Sequence, residues 1–414
     1  MRDAGFIRRC LDLARMGQGE TGINPLVGAV LVRDGKIIAE AFHSGFGKPH
    51  AERQLLQNFD QKIDSKDTLY VNLEPCCHKQ KKTPQCVQYI IDRGVKKLVF
   101  GMIDPNPMVA GKGIAALRNA GIEVIGPVLP EECRRLNRGF VSLMTKGRPW
   151  ITIHRAQTRD GRITNSDGPP LKITSFDQDS WAHTFLRARH DAILVGVGTI
   201  LSDDPQLNVR YNHWYESQSN TLRQGFGGQE LWTPFSDAEH QGIGLLPSQA
   251  DTQHLSSSSR RSPAGRRRMD DPPDIFRIVL DAGLRIPLKA RVVNPPLACR
   301  TMVVTKGTEG IKEIKEFKDK RKLLEGRGVR IIDMPFSPSP RLAGLATPLP
   351  MGEGMGMRVR ERGGFDWQIL WSKLTTPDGN YHGITSILVE GGLKTWEAFH
   401  RAGLVDEEVT MVGG

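Results

Sequence analysis

His50, Cys76 and Cys86 constrain this chain most tightly. Pro49-His50-Ala51-Glu52 is followed by Pro75-Cys76 and, with nine residues intervening, by Cys86. One imidazole and two thiolates make up the protein ligands of a catalytic zinc site, which keeps its fourth position for water. Any fold that uses them must bring three distant stretches of chain to one point. Glu52, two residues beyond His50, is predicted to face the water as a proton carrier rather than to bind the metal. Two plainer readings stand beside this one: a closed structural zinc site, and a chance triplet, since short triplets are common.

The surrounding pattern supplies the elements. An amphipathic helix is predicted from the N-terminus to about Met16. Residues 26–32 and 36–42 are apolar runs around Asp34-Gly35, a β-hairpin signal. A helix is expected from His50 to Gln57, a buried strand over 68–73, and a helix opening at Thr83-Pro84. Strand 97–102, helix 111–120 and strand 122–128 follow. This alternation predicts a layered α/β domain. A second α/β unit begins near Trp150, with strand candidates at 150–154, 191–197, 275–281, 301–305, 328–333 and 385–389 and a helical stretch near 176–189. Residues 211–274 and 336–364 carry no apolar period and are expected to be disordered inserts.

Charge narrows the function classes. Lys plus Arg is 57 against 46 for Asp plus Glu, a net +11. Residues 1–149 hold 23 basic and 15 acidic side chains, so most of the excess (+8) lies there. An anionic small molecule suits that distribution, and no nucleic acid is expected, because 211–274 around Arg266-Arg267-Arg268 carries six basic but eight acidic side chains. No run of 18 apolar residues exists, so no membrane span is expected. The N-terminus lacks a signal-peptide core, and the clustered cysteines suit metal in a reducing compartment. A cytoplasmic protein is therefore expected, with homo-oligomerisation left open.

The H-x-E…P-C pattern is shared by zinc deaminases, in which the Glu is general acid/base and not a ligand. Beyond that pattern, Asn24-Pro25-Leu26-Val27-Gly28-Ala29-Val30, His43, Leu73-Glu74-Pro75-Cys76-Cys77-His78, Thr83-Pro84-Gln85-Cys86 and Asp104-Pro105-Asn106-Pro107 closely resemble the bifunctional riboflavin-biosynthesis deaminase–reductase family. The resemblance covers most of 1–210 and 275–412. It implies a cytidine-deaminase-like three-layer α/β domain over 1–147, with Zn2+ on His50, Cys76 and Cys86 and Glu52 as proton shuttle. Asn24, His43, His78 and Lys82 would line the substrate pocket. The substrate would be 2,5-diamino-6-ribosylamino-4(3H)-pyrimidinone 5′-phosphate, which loses ammonia. Nine residues between Cys76 and Cys86, where the family usually has eight, place one extra residue in the Lys79–Lys82 loop.

In the second half, Leu388-Val389-Glu390-Gly391-Gly392-Leu393-Lys394-Thr395 reads as a strand, a glycine pair and a helix start. That arrangement admits a phosphate or serves as a plain tight turn. The same resemblance implies a dihydrofolate-reductase-like α/β domain over 148–414 that uses NADPH. Thr199, Asp203, Gly391, Gly392, Leu393, Lys394 and Thr395 would contact the cofactor. Arg187, Leu207, Arg210 and Glu390 would hold the substrate, the arginines as partners for its phosphate. Hydride would pass to ribose C1 and open the sugar to ribityl. Three departures lead to an expected impairment of the reductase: His154 stands where the family has lysine, Lys172 replaces an apolar residue, and the family's last sheet strands are missing after Gly414. The alternative is a zinc deaminase of another nucleobase or nucleotide with a non-functional second domain.

Overall fold

The structure, a computed structural model, describes residues 2–77, 85–162, 173–210, 274–306, 314–334 and 366–413. His78, Lys82, Thr83-Pro84, Lys172 and the expected inserts, apart from Asp274, lie outside the described residues. The chain forms two compact units. One comprises residues up to Thr21 with Leu26–Asn137; the other comprises Gly22–Pro25 and the described residues from Arg138 onward.

In the first unit, helix α1 (Arg2–Arg15) buries Ile7, Cys10, Leu11 and Ala14, the spacing of one helical face. It packs on β1 (Gly28–Arg33), which pairs antiparallel with β2 (Lys36–Phe42). Asp34 and Gly35 both adopt positive φ (50° and 77°), the pair of left-handed residues that a two-residue hairpin turn requires. β1 also pairs antiparallel with β3 (Thr68–Leu73); β3, β4 (Lys97–Met102) and β5 (Glu123–Ile125) then run parallel. The sheet order is β2-β1-β3-β4-β5. Helices α2 (Ala51–Asn58), α3 (Cys86–Asp92) and α4 (Lys112–Asn119) pack side by side, while α5 (Pro130–Leu136) packs with α1. β5 is shorter than the expected 122–128: the chain leaves the sheet at Gly126-Pro127, where proline has no N–H for the ladder.

The second unit opens with α6 (Arg138–Lys146) and β6 (Trp150–Gln157). Next come α7 (Phe176–Trp181), β7 (Ala192–Gly196), α8 (Val197–Asp203), β8 (Phe276–Leu280) and β9 (Thr301–Thr305). Helix α9 (Ile314–Gly326), β10 (Arg330–Asp333), α10 (Trp367–Thr375), β11 (Ser386–Val389), α11 (Leu393–Arg401) and β12 (Glu407–Val412) complete it. The helical stretch expected over 176–189 is interrupted, because α7 gives way to a π-helical turn at Ala182–Leu186.

The seven strands are ordered β10-β9-β8-β7-β11-β6-β12, and every pairing is parallel. Both faces of such a sheet must be covered. Ile193, Val195, Val279 and Val303 point to one core with Val292, Phe317 and Leu324. Ala192, Leu194, Ile278, Met302 and Val304 point to the other with Leu370, Trp371 and Phe399. The two-residue alternation along each strand separates these cores.

Candidate active sites

The zinc candidates meet at the ends of three elements. His50 is the N-cap of α2, extended at φ −66° and ψ 159°, and its carbonyl accepts the Gln54 N–H at 2.8 Å. Cys76 follows the end of β3, and Cys86 opens α3. The Val87 N–H donates to the Cys76 carbonyl at 3.2 Å and ties the two cysteine segments together. His50 Nδ1 lies 3.4 Å from Cys76 Sγ and 3.3 Å from Cys86 Sγ. All three ligand atoms fall within 4.8 Å of one another. Tetrahedral zinc with ordinary Zn–N and Zn–S bonds separates such ligand atoms by about 3.5 Å, so the donor set fits. Cys77 stands outside the cluster, as alternation along an extended segment requires.

The ionisation chemistry agrees with that assignment. A hydrogen bond from the Cys86 thiol, aided by His50, lowers Cys76 to about 4 against the opposing effect of burial. The shared proton and burial push Cys86 up. Glu52 sits in the first turn of α2 and is 3% exposed. Burial raises its carboxyl to about 7, with the Cys76 thiolate adding to the rise and His50 opposing it. Its Oε2 is buried without a hydrogen-bond partner among the described residues. A carboxyl poised near neutrality with a free oxygen is suited to taking up a proton and returning it.

Of the four expected pocket residues, His43 is placed at the cluster: its ring meets that of His50 edge-on at 5.4 Å. Its Nδ1 is 3.1 Å from the Pro49 carbonyl. Asn24 is in the 22–25 turn, which groups with the second unit. Glu74, quoted in the motif without a role, is the residue that sequence reasoning missed. It is buried, and its two carboxylate oxygens accept four backbone N–H groups, from Asp104, Gly111, Gly113 and Ile114. A charged residue between a buried strand and a ligand needs partners, but these are main-chain groups that the sequence pattern does not mark.

In the second unit the candidates gather at the C-terminal ends of β7, β11 and β6. β7 and β11 are neighbours and run through Gly196 and Gly392 into α8 and α11, whose N-caps these glycines are. A Cβ on Gly196 would stand 2.8 Å from Thr395 Oγ1, and one on Gly391 would stand 2.6 Å from Thr395 Cβ. The Thr395 side chain therefore packs directly against the backbone of both glycines, leaving no room for a Cβ at either. Thr199 and Asp203 lie four residues apart on α8, and Leu393 and Lys394 are exposed at the start of α11.

Arg187 and Glu390 form a bidentate pair, Nε–Oε1 2.9 Å and Nη2–Oε2 2.6 Å, while Arg187 Nη1 donates to the Asn208 carbonyl at 2.9 Å. Burial would raise the Glu390 carboxyl, but Arg187 and His154 hold it well below the usual carboxylate range. His154 Nδ1 is 3.7 Å from Glu390 Oε1, so the histidine at the family's lysine position still faces the acid. Leu207 is buried in the core at φ 49°, which leaves only its backbone to meet a ligand. Arg210 is exposed, with Nε donating to Asn208 Oδ1 at 3.2 Å. The structure thus commits Arg187 to Glu390 and keeps Arg210 at the surface.

Comparison with known proteins connects the two sites. A family model described as the cytidine and deoxycytidylate deaminase zinc-binding region matches residues 1–102, and one described as the RibD C-terminal domain matches 149–413. RibD of Aquifex aeolicus is 32% identical over 410 residues, covering 99% of this chain and 86% of that protein. RibD of Actinobacillus pleuropneumoniae is 42% identical over 210 residues, but that match spans 51% of this chain and 55% of the relative. Among solved structures, Acinetobacter baumannii RibD superposes with a TM-score of 0.64 at 27% identity, covering 99% of this chain and 86% of that one. A Thermotoga maritima diaminohydroxyphosphoribosylaminopyrimidine deaminase/5-amino-6-(5-phosphoribosylamino)uracil reductase gives 0.64 at 28%, with the same coverage. Matches that run through both units do not favour a deaminase of another nucleobase with an idle second domain. Membership implies zinc in the first domain and NADPH in the second. The chain belongs to the RibD family of bifunctional riboflavin-biosynthesis deaminase–reductases.

Proposed function

We propose that residues 1–147 deaminate 2,5-diamino-6-ribosylamino-4(3H)-pyrimidinone 5′-phosphate and that residues 148–414 reduce the ribosyl group of 5-amino-6-(5-phosphoribosylamino)uracil. The observation that carries this reading is the convergence of His50, Cys76 and Cys86 beside a buried Glu52 with one free oxygen. His50, Cys76 and Cys86 would hold zinc, which supplies Lewis-acid activation of the attacking water. Glu52 accepts one proton of that water as oxygen bonds to the pyrimidine carbon and passes it to the adjacent ring nitrogen, then carries the remaining hydroxyl proton to the departing amino group. Ammonia leaves, and the ring carbon gains a carbonyl. Asn24, His43, His78 and Lys82 would line the substrate pocket, a reading supported for His43 by its edge-on contact with the His50 ring.

In the second domain, Gly391–Thr395 at the start of α11, with Thr199 and Asp203 on α8, would hold NADPH, which supplies the hydride. Glu390, fixed by Arg187, offers acceptors to sugar hydroxyls, and Arg210 offers its guanidinium to the phosphate. Leu207 contributes backbone to the same rim. Among the described residues no helix is long and apolar enough to cross a membrane, and the partners of this reading are small phosphorylated pyrimidines. Purified protein tests it when ammonia release, NADPH oxidation and zinc content are measured separately. Ammonia release with one zinc per chain is expected. NADPH oxidation with the deaminated product is expected as well; deamination without it would leave the reductase impaired, as the departures at His154 and Lys172 suggest. Activity confined to cytidine or guanine would overturn the substrate.

A further inference from the structure

We infer that Glu74 is a positioning residue for the zinc site, clamping the Pro75-Cys76 ligand segment to the start of α4. This rests on the reading of His50, Cys76 and Cys86 as zinc ligands. Helix α4 starts without a cap of its own: its N-cap, Gly111, has φ 75° and no side chain to accept a bond. Glu74 supplies the missing acceptor from the end of β3. Its Oε2 accepts from Gly111 N at 2.9 Å and Asp104 N at 3.1 Å, and its Oε1 from Gly113 N at 2.9 Å and Ile114 N at 3.3 Å. A carboxylate at a helix N-terminus is favoured by both the free N–H groups and the helix dipole.

Contact extends to the ligand segment itself. The Glu74 N–H donates to the Met102 carbonyl at 2.9 Å and continues the β3–β4 ladder by one residue. A Cβ on Gly113 would stand 2.2 Å from the Pro75 carbonyl oxygen, so the first turn of α4 lies directly on the peptide preceding Cys76. Asp104 extends the clamp: its Oδ1 accepts the Asn106 N–H at 2.9 Å, and Asn106 Oδ1 accepts the Met108 N–H at 3.0 Å. One buried carboxylate therefore fixes both the 104–113 loop and the backbone two residues from a thiolate ligand. Groups that orient metal ligands typically change metal affinity or activity by about 10–100-fold when altered.

Glu74→Gln tests the assignment, because an amide turned either way sets an NH2 group against two of the four backbone N–H donors. Zinc release from the intact chain to a chromophoric chelator is the readout, with the thiolate-to-metal absorption of the cobalt-substituted protein as a second. Release at least about 10-fold faster than wild type, with a shifted cobalt band, is expected. Asp67→Asn, the same carboxylate-to-amide change at another buried acid, serves as the control. Asp67 is buried against Arg33 (2.7 Å) and precedes Thr68, at the opposite end of β3 from Glu74. Its zinc release should match wild type. Wild-type kinetics in Glu74→Gln, or equal acceleration in both variants, would overturn the assignment. Should Glu74→Gln not fold, Glu74→Asp decides: it keeps the carboxylate but withdraws it by one methylene, so intermediate acceleration is expected and a wild-type rate refutes the role. A wild-type protein that holds no zinc would instead refute the ligand set, and the Glu74 role with it.

Discussion

Around the zinc candidates, three ligand atoms lie within 4.8 Å of one another because His50 and Cys86 stand at helix starts and Cys76 follows the end of β3. Around the reductase candidates, no such short-range code exists. Gly196, Thr395, Glu390, Arg187 and His154 come from separate strands and helices, and they meet only because β7, β11 and β6 are adjacent in a parallel sheet. A metal site is specified by ligand chemistry that short motifs carry, even when the fold must bring those motifs together. A nucleotide crevice is specified by backbone approach and strand order, which no single segment carries. Changes at the first site should therefore act on chemistry with little loss of fold, whereas changes at the second should cost both.

The sharpest way to break this contrast is Glu52→Gln. Ammonia release should fall by about 10²–10⁴-fold, the range of general acid–base catalysis, while zinc content and NADPH oxidation stay at wild-type levels. Loss of zinc would mean that Glu52 holds the metal centre together. Next in size is Glu390→Ala, which leaves Arg187 buried and unpaired (side-chain exposure 7% and 11% for the pair). Stability of the second unit in a denaturant titration should drop by about 3–5 kcal/mol, and reductase turnover should vanish with it. A variant that loses turnover at unchanged stability would make the second site as modular as the first.

Gly391→Ala is smaller and more local. Its methyl would meet Thr395, an overpacking worth about 1–3 kcal/mol. Weaker NADPH binding, read by cofactor fluorescence, is expected while deamination is unaffected. Full NADPH affinity would remove Gly391 from the crevice. The smallest effect is a pH dependence carried by two carboxyls of the second unit. Burial opposes ionisation at Glu407, but Arg138 and Arg189 lower it to about 2, and Arg148 with Lys146 lowers Asp406 against its own burial. These carboxyls are depressed in the folded state. Their contribution is thus present above the unfolded values near 4 and is lost as pH falls toward about 2. Tryptophan emission reports chiefly on this unit, which holds Trp150, Trp181, Trp367, Trp371 and Trp396 among the described residues. A midpoint that does not move between pH 5 and 3 would show that these pairs do not stabilise the fold.

The first candidate site was largely legible in the sequence because its residue types sit in short motifs. His50 and Glu52 are two residues apart at a helix start, and the Pro75-Cys76 and Cys86 segments flank a strand end and a helix start that apolar periodicity also marks. Glu74 was not legible: its partners Asp104, Gly111, Gly113 and Ile114 lie 30–40 residues away and are all main-chain groups, which leave no trace in side-chain pattern. The Arg187–Glu390 pair, 203 residues apart, was hidden for the same reason. Arg187 could be quoted from a motif, but its commitment to Glu390 depends on which strands are neighbours.

By itself, then, the sequence determined which residues form a candidate metal-ligand pattern with a carboxyl beside it, where each strand buries its alternate residues and which turn closes the first hairpin. Those follow from side-chain chemistry and from periods of 2 and 3.6 residues. Only the tertiary structure decided that Glu52 is desolvated enough to hold a proton near neutrality and that Glu74 caps α4 in trans. It alone set two glycine-bearing strand ends side by side. Burial, capping across the chain and strand order each depend on residues far apart in sequence, and their energies appear only once the sheets have formed.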